Sequence, residues 1–217
     1  MTSPPPPATE RRSSEPDGQL IAVLEESKRR GFLGPGPVLF HVEHAREFGA
    51  TLRAAPRVLD LGSGGGVPGL VLARQHPGIH FTLVDAMERR TAFLQSAVMS
   101  LGIEGQVDVV TGRAEELARR EDLASSFDVV VTRSFGPPAV TAECAVGFLR
   151  PGARMVISEP PTVEAVRWPS AGLALLGLSA VERISSGTAS LQVLRLSGEL
   201  DHRYPRRVGV PAKRPVF

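Results

Sequence analysis

The sequence holds a single cysteine, Cys144, among its 217 residues. One thiol excludes an internal disulfide framework, a zinc site built from cysteines and an iron–sulfur cluster. The five histidines, of which His41 and His44 are three residues apart, give no metal-binding signature. These absences predict a protein of a reducing compartment that binds no metal.

Long apolar runs are also missing. The longest, Ala171–Val181, is interrupted by two glycines and falls short of the roughly 18 residues that a membrane helix needs. The N-terminus is rich in proline, serine and threonine and lacks the apolar stretch of a secretory signal peptide. We therefore expect a cytoplasmic protein without a membrane span. The expected oligomeric state is a monomer.

The charges nearly balance but are unevenly distributed along the chain. Lys and Arg number 25 against 23 Asp and Glu, which gives a formal net charge of +2. Residues 183–217 hold seven basic side chains and two acidic ones, whereas the preceding chain holds more acids than bases. A basic C-terminal segment on a near-neutral body indicates that a polyanion would be contacted locally, by this segment. It does not indicate a protein surface that is basic throughout.

Composition and periodicity divide the chain into three regions. Residues 1–17 are rich in proline and predict a disordered tail. Residues 18–55 predict two helices, the first ending at Gly31 and the second spanning roughly Val38–Leu52. Residues 56–217 predict a single larger domain whose last part, residues 198–217, is the basic segment.

The larger domain alternates short β-branched runs with helical stretches. The predicted strands are Val58–Leu61, His80–Val84, Val107–Val110, Phe127–Val131 and Arg154–Ile157, and the predicted helices are Pro68–His76, Glu88–Leu101, Ala114–Arg120 and Ala139–Leu149. A weakly helical stretch, Ala165–Leu176, precedes a predicted hairpin of Ala180–Ile184 and Leu191–Leu196. The pattern predicts an α/β, Rossmann-like fold with a mostly parallel seven-stranded sheet. Its antiparallel end is more typical of class I methyltransferases that use S-adenosylmethionine (SAM) than of dinucleotide dehydrogenases.

The strongest local motif is the glycine-rich turn after the first predicted strand, residues 60–69. Gly64, Gly66 and Gly69 match the dinucleotide fingerprint, while Asp60 with Gly62, Gly64 and Gly66 matches the loop of SAM enzymes. A carboxylate here would repel the pyrophosphate of NAD but attract the ammonium and sulfonium groups of SAM. The charge of Asp60 therefore favours SAM. A tight turn that binds nothing is the remaining alternative.

Further candidates follow the next three predicted strands. Asp85 is suited to accept hydrogen bonds from ribose hydroxyls, although it could also cap the next helix. Glu115 is a candidate for the adenine edge, or simply an acid favoured at a helix start. Arg133 and Phe135 are expected to border the methyl-transfer pocket as a cation and a stacking or lid residue. A lone arginine after a strand is more often a surface ion pair.

Together these residues resemble the RsmG (GidB) family, the guanine-N7 methyltransferases of bacterial small-subunit ribosomal RNA. The matching stretches are residues 58–70, 82–94, 112–117, 127–135 and 203–215. The resemblance implies SAM as the cofactor, with contacts at Gly62, Val67, Ala114, Glu115 and Arg133. It implies ribosomal RNA or the small ribosomal subunit as the partner.

The basic segment is expected to neutralise RNA phosphates, with Phe135 as a further substrate contact. Its cations are Arg203, Arg206, Arg207, Lys213 and Arg214. The alternative is that Tyr204 and the prolines only pack this segment against the domain. Guanine N7 carries a free lone pair, so the expected reaction is in-line methyl transfer without a general base.

The sequence departs from the family pattern on its substrate side. An N-terminal Asn-Leu-Thr motif is absent, the His-x-x-Asp-Ser-Leu element is represented only by residues 44–48, and Ser158-Glu159 stands where the family has Lys-Gly. The alternative function is therefore a divergent paralogue that methylates a small molecule or another RNA. A non-catalytic SAM- or RNA-binding module, or an NAD enzyme, is the remaining possibility.

Overall fold

A computed structural model describes residues 17–53, 55–162 and 166–217. The predicted disordered tail lies outside the described residues except for Asp17, and so does the start of the predicted weak helix at residue 165. Within the described ranges, no helix combines the length and the hydropathy needed to cross a membrane.

A seven-stranded sheet forms the centre of the molecule. Its strands are β1 (Arg57–Leu61), β2 (His80–Asp85), β3 (Val107–Thr111), β4 (Phe127–Thr132), β5 (Leu149–Glu159), β6 (Leu178–Ser185) and β7 (Ser190–Leu196). They lie in the order β3-β2-β1-β4-β5-β7-β6, with β1 to β5 parallel and β7 antiparallel to both β5 and β6. The predicted mostly parallel sheet with an antiparallel end is confirmed.

Helices connect these strands and cover both faces of the sheet. They are α1 (Gly18–Arg29), α2 (Val38–Arg46), α3 (Gly69–Gln75), α4 (Glu88–Ser100), α5 (Ala114–Leu117), α6 (Pro138–Val146), α7 (Ser170–Ala174) and α8 (Val210–Lys213). The second predicted helix changes to a 3₁₀ helix at Glu47–Leu52. The helix predicted over Ala114–Arg120 is a single turn, and α8 was not predicted because one turn leaves no periodic signal.

Alternation along β4 shows how the two faces are buried. All six of its residues are buried, as expected for a central strand with helices on both sides. Val129 and Val131 join one hydrophobic cluster, which also contains residues of α1 to α4. Val130 points to the other cluster, formed with α5 to α7.

The two N-terminal helices pack into the first of these clusters. The Asp17 carboxylate caps α1 by accepting the backbone N–H groups of Gln19 and Leu20, at 3.1 and 3.2 Å. Leu24 of α1 is fully buried and belongs to the same cluster as Val58 of β1. The region boundary at residues 55 and 56 stays a prediction, although both sides of it share a core.

Candidate active site

The candidate site lies at the carboxyl edge of the sheet, around β1. This strand has β2 on one side and β4 on the other. The chain leaves β1 toward β2 and leaves β4 in the opposite direction, toward β5. Ligands of open α/β sheets bind in the crevice outside such a switch point. The strand ends place Gly62, Asp85 and Arg133 around this crevice, as the parallel order of the sheet requires.

The backbone N–H groups of the glycine-rich turn are largely used within the chain. The amides of Gly62 and Ser63 donate to the Val84 carbonyl at 2.8 and 2.9 Å, that of Gly64 to Asp85 Oδ2 at 3.0 Å, and that of Gly66 to the Ser63 carbonyl at 2.7 Å. A phosphate-binding turn directs such amides at its ligand instead. The turn is therefore not arranged as a pyrophosphate cradle.

Asp60 lies beneath the turn and is fully buried. Its Oδ2 accepts the N–H of Gly69 at 2.9 Å, which fixes the start of α3, and its Oδ1 has no hydrogen-bond partner. Burial raises the pKa of this carboxyl group to about 7. Because Asp60 lines none of the three cavities described below, its influence on a bound cation acts through the electric field rather than by contact.

Two small cavities flank Gly62. The strand-end cavity, about 50 Å³, is lined by Gly62, Asp85, Ala114, Glu115 and Phe135 among others. The loop cavity, about 200 Å³, lies on the other side and includes Gly62, Gly64, Val67, Phe32 and Arg133 in its wall. The predicted cofactor residues are thus brought together, except that Gly66, like Asp60, lines neither cavity.

The Phe135 ring packs closely against Gly62. Gly62 has φ +73°, and a Cβ atom added to it would lie 2.6 Å from Cδ2 of the Phe135 ring. Only glycine combines this backbone conformation with such a close ring. The position explains why the turn needs glycine immediately after β1.

Asp85 lines the strand-end cavity with both carboxylate oxygens already hydrogen-bonded. Oδ1 accepts the N–H of Met87 at 2.9 Å, and Oδ2 accepts from Gly64 N–H and from Arg90 Nη1, at 3.0 and 3.3 Å. The residue that caps α4 is Met87, so the alternative that Asp85 is the helix cap does not describe this structure. A carboxylate oxygen accepts more than one hydrogen bond, so the group can still receive hydroxyls.

Arg133 points inward and is held by a histidine of α2. Its Nη2 donates to His41 Nδ1 at 2.6 Å, and its buried Nη1 has no partner. Burial lowers the pKa of the guanidinium, while the charge of Asp60 works in the opposite direction. Arg133 is therefore not the surface ion pair that a lone arginine after a strand suggests.

A larger cavity, here called the acceptor cavity, adjoins Arg133 and Phe135. It measures about 420 Å³, and its wall also contains Phe40, His44, Glu159, Arg167 and Trp168. Three buried atoms of its lining side chains have no hydrogen-bond partner in the part of the chain that the structure describes: His44 Nδ1, Arg133 Nη1 and Trp168 Nε1. Burial and then the charge of Arg133 lower the pKa of His44 to about 4, so this imidazole is neutral.

The basic C-terminal segment is attached to the domain by two buried acids. Glu143 of α6 is fully buried and accepts from Arg206 Nε and Nη2 at 2.8 and 2.6 Å. Glu115 accepts the N–H of Gly209 at 3.0 Å. Burial works to raise the pKa of Glu115, but this hydrogen bond and the nearby Arg113 together lower it.

These contacts divide the predicted substrate-binding arginines into two kinds. The guanidinium of Arg206 is occupied by Glu143 and the Arg214 carbonyl, and Tyr204 beside it is buried. This part of the segment packs against the domain, as the alternative held. Arg203 and Arg207 remain exposed, although Arg203 pairs with Asp201 at 3.1 Å.

Sequence reasoning missed several residues that line or support the site. His41 and Phe32 come from the N-terminal helical region, and Arg167 and Trp168 follow β5. The only sequence signal was the one-turn spacing of His41 and His44, which indicates a shared helix face but not a role. Within residues 17–53, 55–162 and 166–217, no group of three His, Cys, Asp or Glu side chains is placed to hold a metal ion.

Solved structures with the same architecture include methyltransferases. An O-methyltransferase from Bacillus cereus in complex with SAH has a TM-score of 0.60 at 16% sequence identity, covering 85% of this chain and 92% of that chain. An O-methyltransferase family protein from Burkholderia thailandensis has a TM-score of 0.57 at 16% identity, covering 82% and 58%. At these identities the similarity shows the fold, and it confirms the predicted class I methyltransferase architecture.

Sequence comparison is more specific than the fold. A family model described as rRNA small subunit methyltransferase G matches residues 41–160. Ribosomal RNA small subunit methyltransferase G of Moorella thermoacetica is 32% identical over 176 residues, covering 75% of this chain and 70% of the relative. Its counterpart in Rubrobacter xylanophilus is 37% identical over 175 residues, covering 76% and 67%. The chain belongs to the rRNA small subunit methyltransferase G (GidB) family.

Proposed function

We propose that this chain transfers the methyl group of SAM to N7 of a guanine in small-subunit ribosomal RNA. The observation that carries the proposal is the arrangement of the three cavities. Gly62 lines both small cavities. Arg133 lines both the loop cavity and the acceptor cavity, and Phe135 lines both the strand-end cavity and the acceptor cavity. A cofactor around Gly62 and an acceptor beside Arg133 would therefore meet.

The residues around Gly62 fit SAM better than a dinucleotide. Four amides of the turn are used within the chain, so a pyrophosphate would find few donors. The partnerless Oδ1 of Asp60 places an acid beneath the turn, where its ionised form attracts a cation. When bound, SAM supplies a methyl group made electrophilic by its sulfonium centre.

Each predicted cofactor residue has a role in this proposal. Asp85 would receive the ribose hydroxyls in the strand-end cavity, and the turn around Gly64 and Val67 would face the methionine part in the loop cavity. Ala114 and the backbone of Glu115 would border the adenine, since the Glu115 carboxylate already holds Gly209. Gly66 and Asp60 would support the turn from below.

Positioning is the main contribution that the chain's own residues make to catalysis. Guanine N7 has a lone pair available for attack, so no side chain has to remove a proton before methyl transfer. Phe135 and Arg133 would fix the acceptor at the junction of the cavities, and exclusion of water there protects the methyl group from hydrolysis. The exposed Arg203 and Arg207 would bind RNA phosphates.

The proposal also includes a cytoplasmic monomer, with residues 56–217 as the methyltransferase domain. Calorimetry with SAM and with NAD tests the cofactor, because only SAM should bind. Transfer of a tritiated methyl group to deproteinised ribosomal RNA and to small subunits then tests the acceptor. If the tritium label appeared in low-molecular-weight acceptors and in neither RNA sample, the proposed function would be wrong and the chain would be a small-molecule methyltransferase.

A further inference from the structure

The acceptor cavity contains a buried acid, which is unexpected in a site for a polyanion. The Glu159 side chain is only 2% exposed, and its two oxygens lie 2.7 and 3.4 Å from Nε and Nη2 of Arg167. A carboxylate repels a phosphate backbone that comes near it. An acid in this wall therefore faces a part of the substrate that donates hydrogen bonds.

Buried donors without partners lie in the same wall. Arg133 Nη1 and Trp168 Nε1 are both inaccessible and have no hydrogen-bond partner among the described residues. A buried donor left unpaired costs roughly 1–3 kcal/mol, so both atoms are suited to an acceptor on a ligand. Two aromatic rings, the partly buried Phe135 and the half-exposed Phe40, supply surfaces on which a base can stack.

We propose that the acceptor cavity takes a single guanine base and that Glu159 binds its Watson–Crick edge. This inference rests on the proposed function. Guanine alone among the four RNA bases has two adjacent donors on that edge, N1–H and N2–H, and a carboxylate accepts both. Adenine, cytosine and uracil have no two adjacent donors on that edge, and each would place an acceptor against the acid.

The order of groups around guanine agrees with the order of residues in the site. N7 lies on the opposite side of the base from N1 and N2, with O6 between them. Arg133 belongs to both the loop cavity and the acceptor cavity, so its free Nη1 is placed for O6 when N7 faces the cofactor side. Arg167 is a positioning residue, because it holds the Glu159 carboxylate.

The test uses Trp168, which is the only tryptophan in the chain and lies in the cavity wall. Its fluorescence is titrated with guanosine, inosine and adenosine 5′-monophosphates and with 7-deazaguanosine 5′-monophosphate, and calorimetry repeats each titration. We expect the two guanine compounds to bind with similar affinity, since both keep O6, N1–H and N2–H. Inosine lacks the N2 amino group and should bind about tenfold more weakly, and adenosine more weakly still. Equal binding of guanosine and inosine monophosphates would overturn the inference.

A matched pair of variants assigns the selectivity to Glu159. Glu159→Gln should reduce the preference for guanosine over inosine monophosphate to less than about threefold. Glu182→Gln, which changes an exposed side chain of β6, should leave the preference intact. Thermal unfolding checks that both variants are folded. If Glu159→Gln does not fold, the relative affinities of the wild type for guanosine and inosine monophosphates still decide the test.

Methyl transfer to deproteinised small-subunit RNA separates this inference from the proposed function. If RNA is methylated while the four nucleotides bind alike, the base-reading role of Glu159 is wrong and the function stands. If guanine selectivity is found and depends on Glu159 but no RNA is methylated, the base site stands and the proposed function is wrong.

Discussion

His41 Nδ1 accepts a hydrogen bond of 2.6 Å from Arg133, across the junction between α2 and the end of β4. The other ring nitrogen, Nε2, lies 3.2 Å from the Gly34 carbonyl, to which it donates when Nδ1 is the acceptor. Burial and then the charge of Arg133 lower the pKa of His41, which keeps the imidazole neutral. The helix α2 thus holds the guanidinium of Arg133, which lines both the loop cavity and the acceptor cavity.

Replacing this histidine should loosen Arg133 and weaken cofactor binding. His41→Ala removes a hydrogen bond to a charged group, an interaction worth about 1.5–3 kcal/mol, so we expect the Kd for SAM to rise about tenfold. His41→Gln keeps an acceptor and should retain most of the affinity. His80→Ala is the control because His80 pairs with Asp108 at 2.8 Å away from the site. Calorimetry measures the Kd for SAM of all three variants. An unchanged Kd in His41→Ala would show that SAM binding does not depend on the hydrogen bond between His41 and Arg133.

Gly62→Ala should displace the Phe135 ring. The added Cβ would lie 2.6 Å from Cδ2 of that ring, and the backbone φ of +73° disfavours alanine as well. Because Gly62 lines both small cavities and Phe135 lines the strand-end and acceptor cavities, SAM affinity and methyl transfer should each fall at least about tenfold. Gly78→Ala meets open space and should change neither. If Gly62→Ala bound SAM with the affinity of the wild type, the cofactor would not lie around Gly62.

Asp60→Asn should change how stability depends on pH. Burial raises the pKa of Asp60 from 3.8 to about 7, so the folded chain holds this proton more tightly than the unfolded chain does. The wild type therefore loses stability at this position as the pH rises from about 4 to 7, by up to about 4 kcal/mol. Asparagine does not ionise. The free energy of unfolding of Asp60→Asn minus that of the wild type should increase across this window.

Urea unfolding at several pH values measures this difference. Histidines titrate in both proteins and cancel in the subtraction, including His44, whose lowered pKa makes both proteins gain stability as the pH rises from about 4 to 6.5. A difference that stays constant from pH 4 to 7 would show that the Asp60 carboxyl group is ionised throughout.

The strands of the parallel sheet and the glycine-rich turn could be predicted because they depend on local signals. β4 contains the apolar run Val129–Val131, and the glycines after β1 lie close together in sequence. Parallel order then brings Gly62, Asp85 and Arg133 to one edge without further information. For β4 and for this turn, which the chain encodes within about ten residues, the prediction agrees with the structure.

Contacts between distant segments were not predictable in the same way. Ser27 Oγ donates to the Gly65 carbonyl at 2.9 Å, and His41 meets Arg133 across 92 positions of sequence. Asp60 has the right charge for SAM, but its depth beneath the turn depends on α3 and β2 packing around it. The pairing of Arg206 with Glu143 likewise needs the fold, because a basic run in sequence does not show which of its members is buried.

Arg206 and Arg207 are adjacent in sequence but should differ in what they contribute. Arg206→Ala would leave the fully buried Glu143 carboxylate without its cation, which costs about 3–5 kcal/mol in comparable cases. We therefore expect Arg206→Ala to lower the free energy of unfolding by several kcal/mol, measured by urea denaturation. Glu143→Gln with Arg206→Ala should recover part of that loss, because the buried charge is gone.

Arg207→Ala should leave stability unchanged and weaken RNA binding instead. Arg207 is exposed, and each phosphate contact contributes about 0.9 to the slope of log K against log salt on a duplex and about 0.7 on a single strand. Titration of deproteinised small-subunit RNA at several salt concentrations should give a slope smaller by about one for Arg207→Ala than for the wild type. An unchanged slope would show that Arg207 does not contact RNA phosphates and would leave Arg203 as the nearest exposed candidate. If Arg203→Ala also bound RNA with the wild-type slope, the phosphate contacts would have to come from residues other than these two arginines.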